Sequence, residues 1–253
     1  MKKLIAMVLA AACIGMLASC SEDPAESSSA GSASPAASNG TAATSSVSDA
    51  SSEAASSAPT SNAPKIDLTA LLEGKTGNTG IPGWDADNKV IETSHSLEVG
   101  WASGYGKGFL IDGEKGKGAF PADFGIFVSC TLADDQTNLK DVPANPEVNE
   151  YIQIKLPGTY NISKISLYTV LRSTHGFPKA FKLSVSEDGK DWTEVYKTDK
   201  YYTDDFNAEQ PFVFDAVKGQ YVRLDVTEVW QPLDPNMKYA VALGEIEVYG
   251  EAA

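Results

Sequence analysis

In the C-terminal part of the chain, apolar side chains return at every second position. Ile152, Ile154 and Leu156 share one parity; Phe181, Leu183 and Val185 alternate with Lys182, Ser184 and Ser186. Val222, Leu224 and Val226 alternate with Tyr221, Arg223 and Asp225, and Ile246 and Val248 with Glu245, Glu247 and Tyr249. Successive side chains of an extended backbone point to opposite faces, so this period buries one face of a strand and wets the other. Asp188-Gly189 lies after the second run and predicts a hairpin, because glycine accepts the positive φ of a tight turn. Helical periodicity is confined to Asp67–Glu73, a short turn that Asp67 can cap. The pattern predicts an all-β, antiparallel β-sandwich or jelly roll.

The N-terminal part cannot join that fold. From Ser21 to about Pro64 the chain is nearly all Ser, Ala, Thr, Gly and Pro, and so few bulky apolar residues cannot offset the entropy of ordering. This stretch is expected to be a disordered linker. Before it, Met1-Lys2-Lys3 and the apolar run Leu4–Ala18 have the form of a secretory leader, too short for a permanent membrane span. Leu17-Ala18-Ser19-Cys20 resembles the bacterial lipobox, which implies that Cys20 becomes the mature N-terminus and carries lipid such as palmitate. The expected organisation is a signal peptide over 1–19, a lipidated Cys and linker over 20–64, and one domain over 65–253. The expected address is the outer face of a cell membrane or outer membrane, with the membrane itself as a partner through the lipid.

Charge and cysteine content narrow the function classes. A net charge of −14 repels phosphate backbones, which argues against a nucleic-acid partner. Of three cysteines, Cys13 leaves with the leader and Cys20 is modified, so Cys130 has no disulfide partner. In the apolar run Gly125–Thr131 it reads as a small buried hydrophobe. The two histidines are His95 and His175, no Gly-x-Ser-x-Gly elbow occurs, and Gly104–Gly108 and Gly113–Gly118 lack the Gly-Lys-Ser/Thr ending of a phosphate loop. These features predict a protein that is not an enzyme.

Five stretches carry a family likeness: Tyr151–Gly158, Ile162–Tyr168, Gly176–Trp192, Gln220–Val226 and Gly244–Gly250. In that order they resemble the strands of the discoidin (coagulation factor 5/8 C-terminal) domain, especially its carbohydrate-binding relatives of family 32. Upstream, Phe109–Glu114 is similar to the family's early Asp-Gly element, after an expected strand over Ser96–Trp101. The insert Ala119–Asn149 is longer than the family norm. The resemblance implies a galactose-binding-like jelly roll that recognises extracellular carbohydrate through loops at one end, without catalysis. Capture of other surface proteins by the same fold, or a glycan-active enzyme, are the alternatives.

The likeness also implies sites. Asp112 and Glu245 would hold a structural Ca2+, completed by carbonyls of Phe109, Glu114 and Gly244, since hard oxygen donors suit calcium. Alternatively, Asp112 shapes a Gly turn and Glu245 is solvated. Arg172 and His175, in the loop Leu171–Pro178, would bond sugar hydroxyls, or else serve as a structural Arg and an incidental His. Sugar sites also use an aromatic plate. Trp230 and Tyr239 are the favoured candidates, with Tyr201, Tyr202, Trp101 and Phe124 behind them. Each of these rings can equally be packing.

Overall fold

The computed structural model describes residues 62–72, 90–98, 104–115, 125–133, 138–170, 174–203, 205 and 209–253. The leader, Cys20, almost all of the linker, Trp101, Phe124 and Arg172 lie outside the described residues.

Ten strands are described: β1 (Ile91–Thr93), β2 (Phe127–Val128), β3 (Thr131–Leu132), β4 (Leu139–Lys140), β5 (Glu147–Tyr168), β6 (Pro178–Ser186), β7 (Thr193–Thr198), β8 (Gln210–Val229), β9 (Ala242–Leu243) and β10 (Glu245–Ala252). The main sheet runs β1-β5-β8-β6-β7, with β10 also on β5, and its pairs are antiparallel. The expected all-β class holds. Among the described residues two short helical turns accompany the strands, Thr69–Leu72 and Lys107–Leu110. Asp67 Oδ1 accepts the Thr69 backbone N–H at 3.0 Å, so the cap read from the sequence forms.

A straight β5 would set Ile152 and Leu167 about 50 Å apart. Instead Ile152, Ile154, Ile165 and Leu167 line one small cavity with Leu183 and Ile246. The strand therefore doubles back. The β5–β8 register breaks between Lys155 and Tyr160, opposite Tyr221 and Gly219, which places the corner there. The first half of β5 pairs with β1 and the second half of β8; its second half pairs with β10 and the first half of β8. One bent sheet thus supplies both layers of a sandwich, and the alternating residues of both halves meet in a single core.

Bending brings the outer ends of β5, β6, β8 and β10 to one pole, where the long loops lie. The opposite pole holds the corner, and the C-terminal Ala253 N–H bonds Thr159 O there at 3.0 Å. The leading segment pairs antiparallel with β10: Ile66 N–H bonds Val248 O, and Gly250 N–H bonds Pro64 O. Going backwards from Lys65, the chain heads for the corner pole.

Two sequence expectations change. Ser96–Glu98 is not a strand; the strand of that region is β1, fixed by its partners Ile152–Ile154, and residues 99–101 lie outside the described set. The runs Tyr151–Leu156 and Ile162–Tyr168 belong to one bent strand. The hairpin at Asp188-Gly189 is present with Gly189 at φ 75°, and Asp188 Oδ1 accepts the N–H groups of Lys190 and Asp191 at 2.8 and 2.9 Å. Cys130 is fully buried, and burial pushes its thiol up to about 12.

Candidate functional site

The alternation of β10 predicts a wet face for its glutamates. Glu245 and Glu247 are in fact only 3% exposed, because the leading segment and the turn after Lys107–Leu110 lie over that face. Two residues apart, they meet opposite fates. Glu247 accepts the hydroxyls of Tyr168 and Tyr249 at 2.6 and 2.7 Å and the ammonium groups of Lys65 and Lys115 at 3.2 and 3.1 Å. Burial works to raise its pKa, but these bonds hold it at about 2.

Glu245 receives the Gly113 N–H at 3.2 Å on each oxygen, and it faces Asp112. Burial first, and then the Asp112 charge, pushes Glu245 up to about 9. Burial likewise raises Asp112 to about 6, against the bond its Oδ1 accepts from Glu114 N–H at 3.0 Å. Glu245 is buried and Asp112 half-buried, and with neither Lys65 nor Lys115 bonded to them the two carboxyls must share a proton or a cation. An all-oxygen pair of this kind suits a hard divalent ion. The solvated reading of Glu245 is overturned by its burial. Glu114 and Gly244 adjoin the pair in the chain, and Phe109 sits in the preceding helical turn.

The loop pole is built by backbone bonds between distant segments. Gly176 N–H bonds Gln231 O, Trp230 N–H bonds Phe177 O, Ala242 N–H bonds Gly176 O, and Gly244 N–H bonds Tyr168 O. Both ends of the loop 169–177 are thereby fixed to the chain that leads into Glu245. Gly176, at φ 69°, has Ala240 O 2.9 Å from where a Cβ would stand, so the close approach needs glycine.

This arrangement sets the His175 backbone against Gln231 and the Tyr202 ring against Trp230, with Tyr201 and Tyr239 turned to the core. His175 is exposed and bridges Gln231, next to Trp230. Trp230 is only half-exposed, and its Nε1–H is committed to Tyr201 O at 2.7 Å. The Lys179 ammonium lies 5.1 Å above the indole and is bonded to Glu228. Tyr201 turns inward to Phe177, Phe181 and Phe212, and its hydroxyl bonds Gln210. Tyr202 turns outward, 59% exposed, and meets the Trp230 ring edge-on at 5.7 Å. Tyr239 packs against the main core, with its N–H on Pro143 O.

The exposed ring is therefore Tyr202, and Trp230 is its buttress. Strand parity could have separated the two tyrosines, since neighbours in extended backbone face opposite ways. Lys179 and Glu228 escaped the sequence reading, because only the β6–β8 register, with Ala180 opposite Glu228, sets them side by side.

One further cluster has the residue types of a nucleophilic site. Ser94 Oγ donates to Glu150, and His95 Nδ1 lies 3.0 Å from the same carboxylate. Both groups bond Glu150 rather than each other, so the imidazole is not set to draw a proton from the hydroxyl. Ser94 Oγ also accepts the Tyr151 N–H at 3.0 Å, which ties β1 to β5.

The F5/8 type C domain matches residues 89–240, more than half of the chain. Among solved structures, similarity is found to the CBM32-5 module of the Clostridium perfringens protein CpGH89, solved with GalNAc-β-1,3-galactose (19% identity over 63% of this chain and 94% of that chain, TM-score 0.45). Others are CBM32-3 from a family 31 glycoside hydrolase of Clostridium perfringens (19% identity, 64% and 92%, TM-score 0.45) and chitosan-binding module 1 from a chitosanase/glucanase of Paenibacillus sp. IK-5 (20%, 63% and 93%, TM-score 0.41).

Proposed function

The chain belongs to the F5/8 type C domain family, and from that premise we propose that it is a carbohydrate-binding surface lipoprotein, holding extracellular glycan at its loop pole without turnover. The observation that carries the reading is the exposed Tyr202 ring braced on Trp230, with the Lys179–Glu228 pair beside it; exposed His175 stands on the segment bridged to Gln231. A sugar has one CH-rich face and a rim of hydroxyls. The phenol ring offers a stacking surface, and the charged groups offer bonds worth about 1.5–3 kcal/mol each to hydroxyls. Arg172 belongs to the same loop as His175 and is proposed as a further donor.

Calcium is proposed at Asp112 and Glu245, with carbonyls of Phe109, Glu114 and Gly244. The carboxyl pair supports it, because Lys65 and Lys115 bond Glu247, and among the described residues no ammonium is bonded to Asp112 or Glu245. Bound there, the ion would neutralise the pair and fix the turn 112–115 to β10. Cys20 is proposed as the lipid anchor. The direction of the leading segment supports outward presentation of the loops, since the chain approaches the domain from the corner pole. Clustering on a membrane would then raise avidity by about 10²–10⁴ over a single weak site.

A glycan array probed with the chain, with and without chelator, tests the reading. Sugar-specific signal that falls at least about tenfold in Tyr202→Ala is the expected result. Capture of a surface protein with no sugar signal would instead favour adhesion, and turnover of a polysaccharide would favour an enzyme.

A further inference from the structure

Lys115 lies three residues after Asp112, and its backbone is left-handed at φ 53°, a conformation rarely adopted by residues with a side chain. Its ammonium reaches Glu247 Oε1 at 3.1 Å and the Tyr168 hydroxyl at 3.2 Å, and lies 4.7 Å from the centre of the Tyr168 ring. The turn is thus fastened to β10 twice: Gly113 N–H holds Glu245, and Lys115 holds Glu247. Asp112 precedes both fastenings and faces Glu245. From this geometry we propose that Lys115 is a positioning residue for the cation site, setting the Asp112 carboxyl against Glu245; the inference rests on the calcium reading.

Lys65 provides the control, because it bonds the same Glu247 oxygen at 3.2 Å from the leading segment, outside the turn. By Coulomb's law alone, removing either ammonium makes the site more negative and tightens a cation. Positioning predicts the reverse for Lys115 and leaves Lys65 to the Coulomb rule. Loss of a group that orients a metal ligand weakens metal binding by about 10–100-fold.

Calorimetric titration of the chelator-stripped full chain with CaCl2 separates the two. Lys115→Ala is expected to weaken calcium binding at least about tenfold, while Lys65→Ala leaves it unchanged or tighter. Each variant removes one ammonium from Glu247, so a role limited to stabilising that carboxylate would move both affinities together. If the alanine variant does not fold, Lys115→Met retains the apolar stem over Tyr168 and removes only the charge. Affinity equal to or tighter than the parent's at position 115, or equal weakening at 65 and 115, overturns the inference. Wild-type chain that takes up no calcium overturns the calcium reading itself, and this inference with it.

Discussion

Glu245 and Glu247 show how neighbours of one residue type acquire opposite chemistry. Their pKa values lie on either side of the ordinary 4.5 of a glutamate, at about 9 and about 2. A carboxyl whose folded pKa is depressed gives stability that is present above 4.5 and lost as pH falls toward 2; this is Glu247. A carboxyl whose folded pKa is raised does the opposite. The folded state holds its proton more tightly, so stability is lost as pH rises from 4.5 toward 9; this is Glu245, joined by Asp112 between 3.8 and about 6. In chelator, the melting temperature is expected to peak near pH 4–5 and decline on both sides. Added CaCl2 should flatten the alkaline decline and leave the acid limb unchanged, and differential scanning calorimetry across pH reads both. An alkaline limb indifferent to calcium would remove the ion from this pair.

Among the elements, β5 and β8 decide the architecture, since each supplies a strand to both layers. Side chains of the second half of β5 therefore hold the layers together. Leu167, fully buried, lies in the cavity wall with residues of the other half. Leu167→Ala is expected to cost about 2–5 kcal/mol, read as a lower urea midpoint at unchanged slope. A loss below 1 kcal/mol would mean that the halves do not share a core. The strand runs themselves were legible, because Ile152, Ile154 and Leu156, like Phe181, Leu183 and Val185, keep strict parity. The corner was not. Pro157-Gly158 looks like an ordinary break, and only the register of β5 on β8 makes it the fold of one sheet. β1 was missed for a related reason: three residues, Ile91–Thr93, carry too little periodicity, and their partner lies 61 positions away in the case of Gln153 and Glu92.

At the scale of the whole molecule, the proposed reading assigns anchoring and recognition to opposite poles. The leading segment meets β10 on the way from the corner, and the Tyr202–Trp230 plate stands among the loops at the far end. Anchoring and recognition are therefore expected to separate genetically. Cys20→Ala should move the chain from the membrane to the soluble fraction while leaving its glycan-array profile unchanged, with fractionation and the array as the two readouts. A changed sugar profile would mean that the N-terminal segment takes part in the site. The sequence by itself determined the strand class, the family and the low-complexity stretch, because period-two burial, ordered strand motifs and the want of apolar residues are all local properties. It also named Asp112, Glu245, His175 and Trp230. Only the tertiary structure decided that Glu247 meets two ammonium groups while Glu245 meets a second carboxyl, that Tyr202 rather than Trp230 is the open ring, and that Lys115 pins the turn. Those outcomes depend on which side chains arrive from remote segments, and pairing across a bent sheet is set by register, not by the residues on either side in the chain.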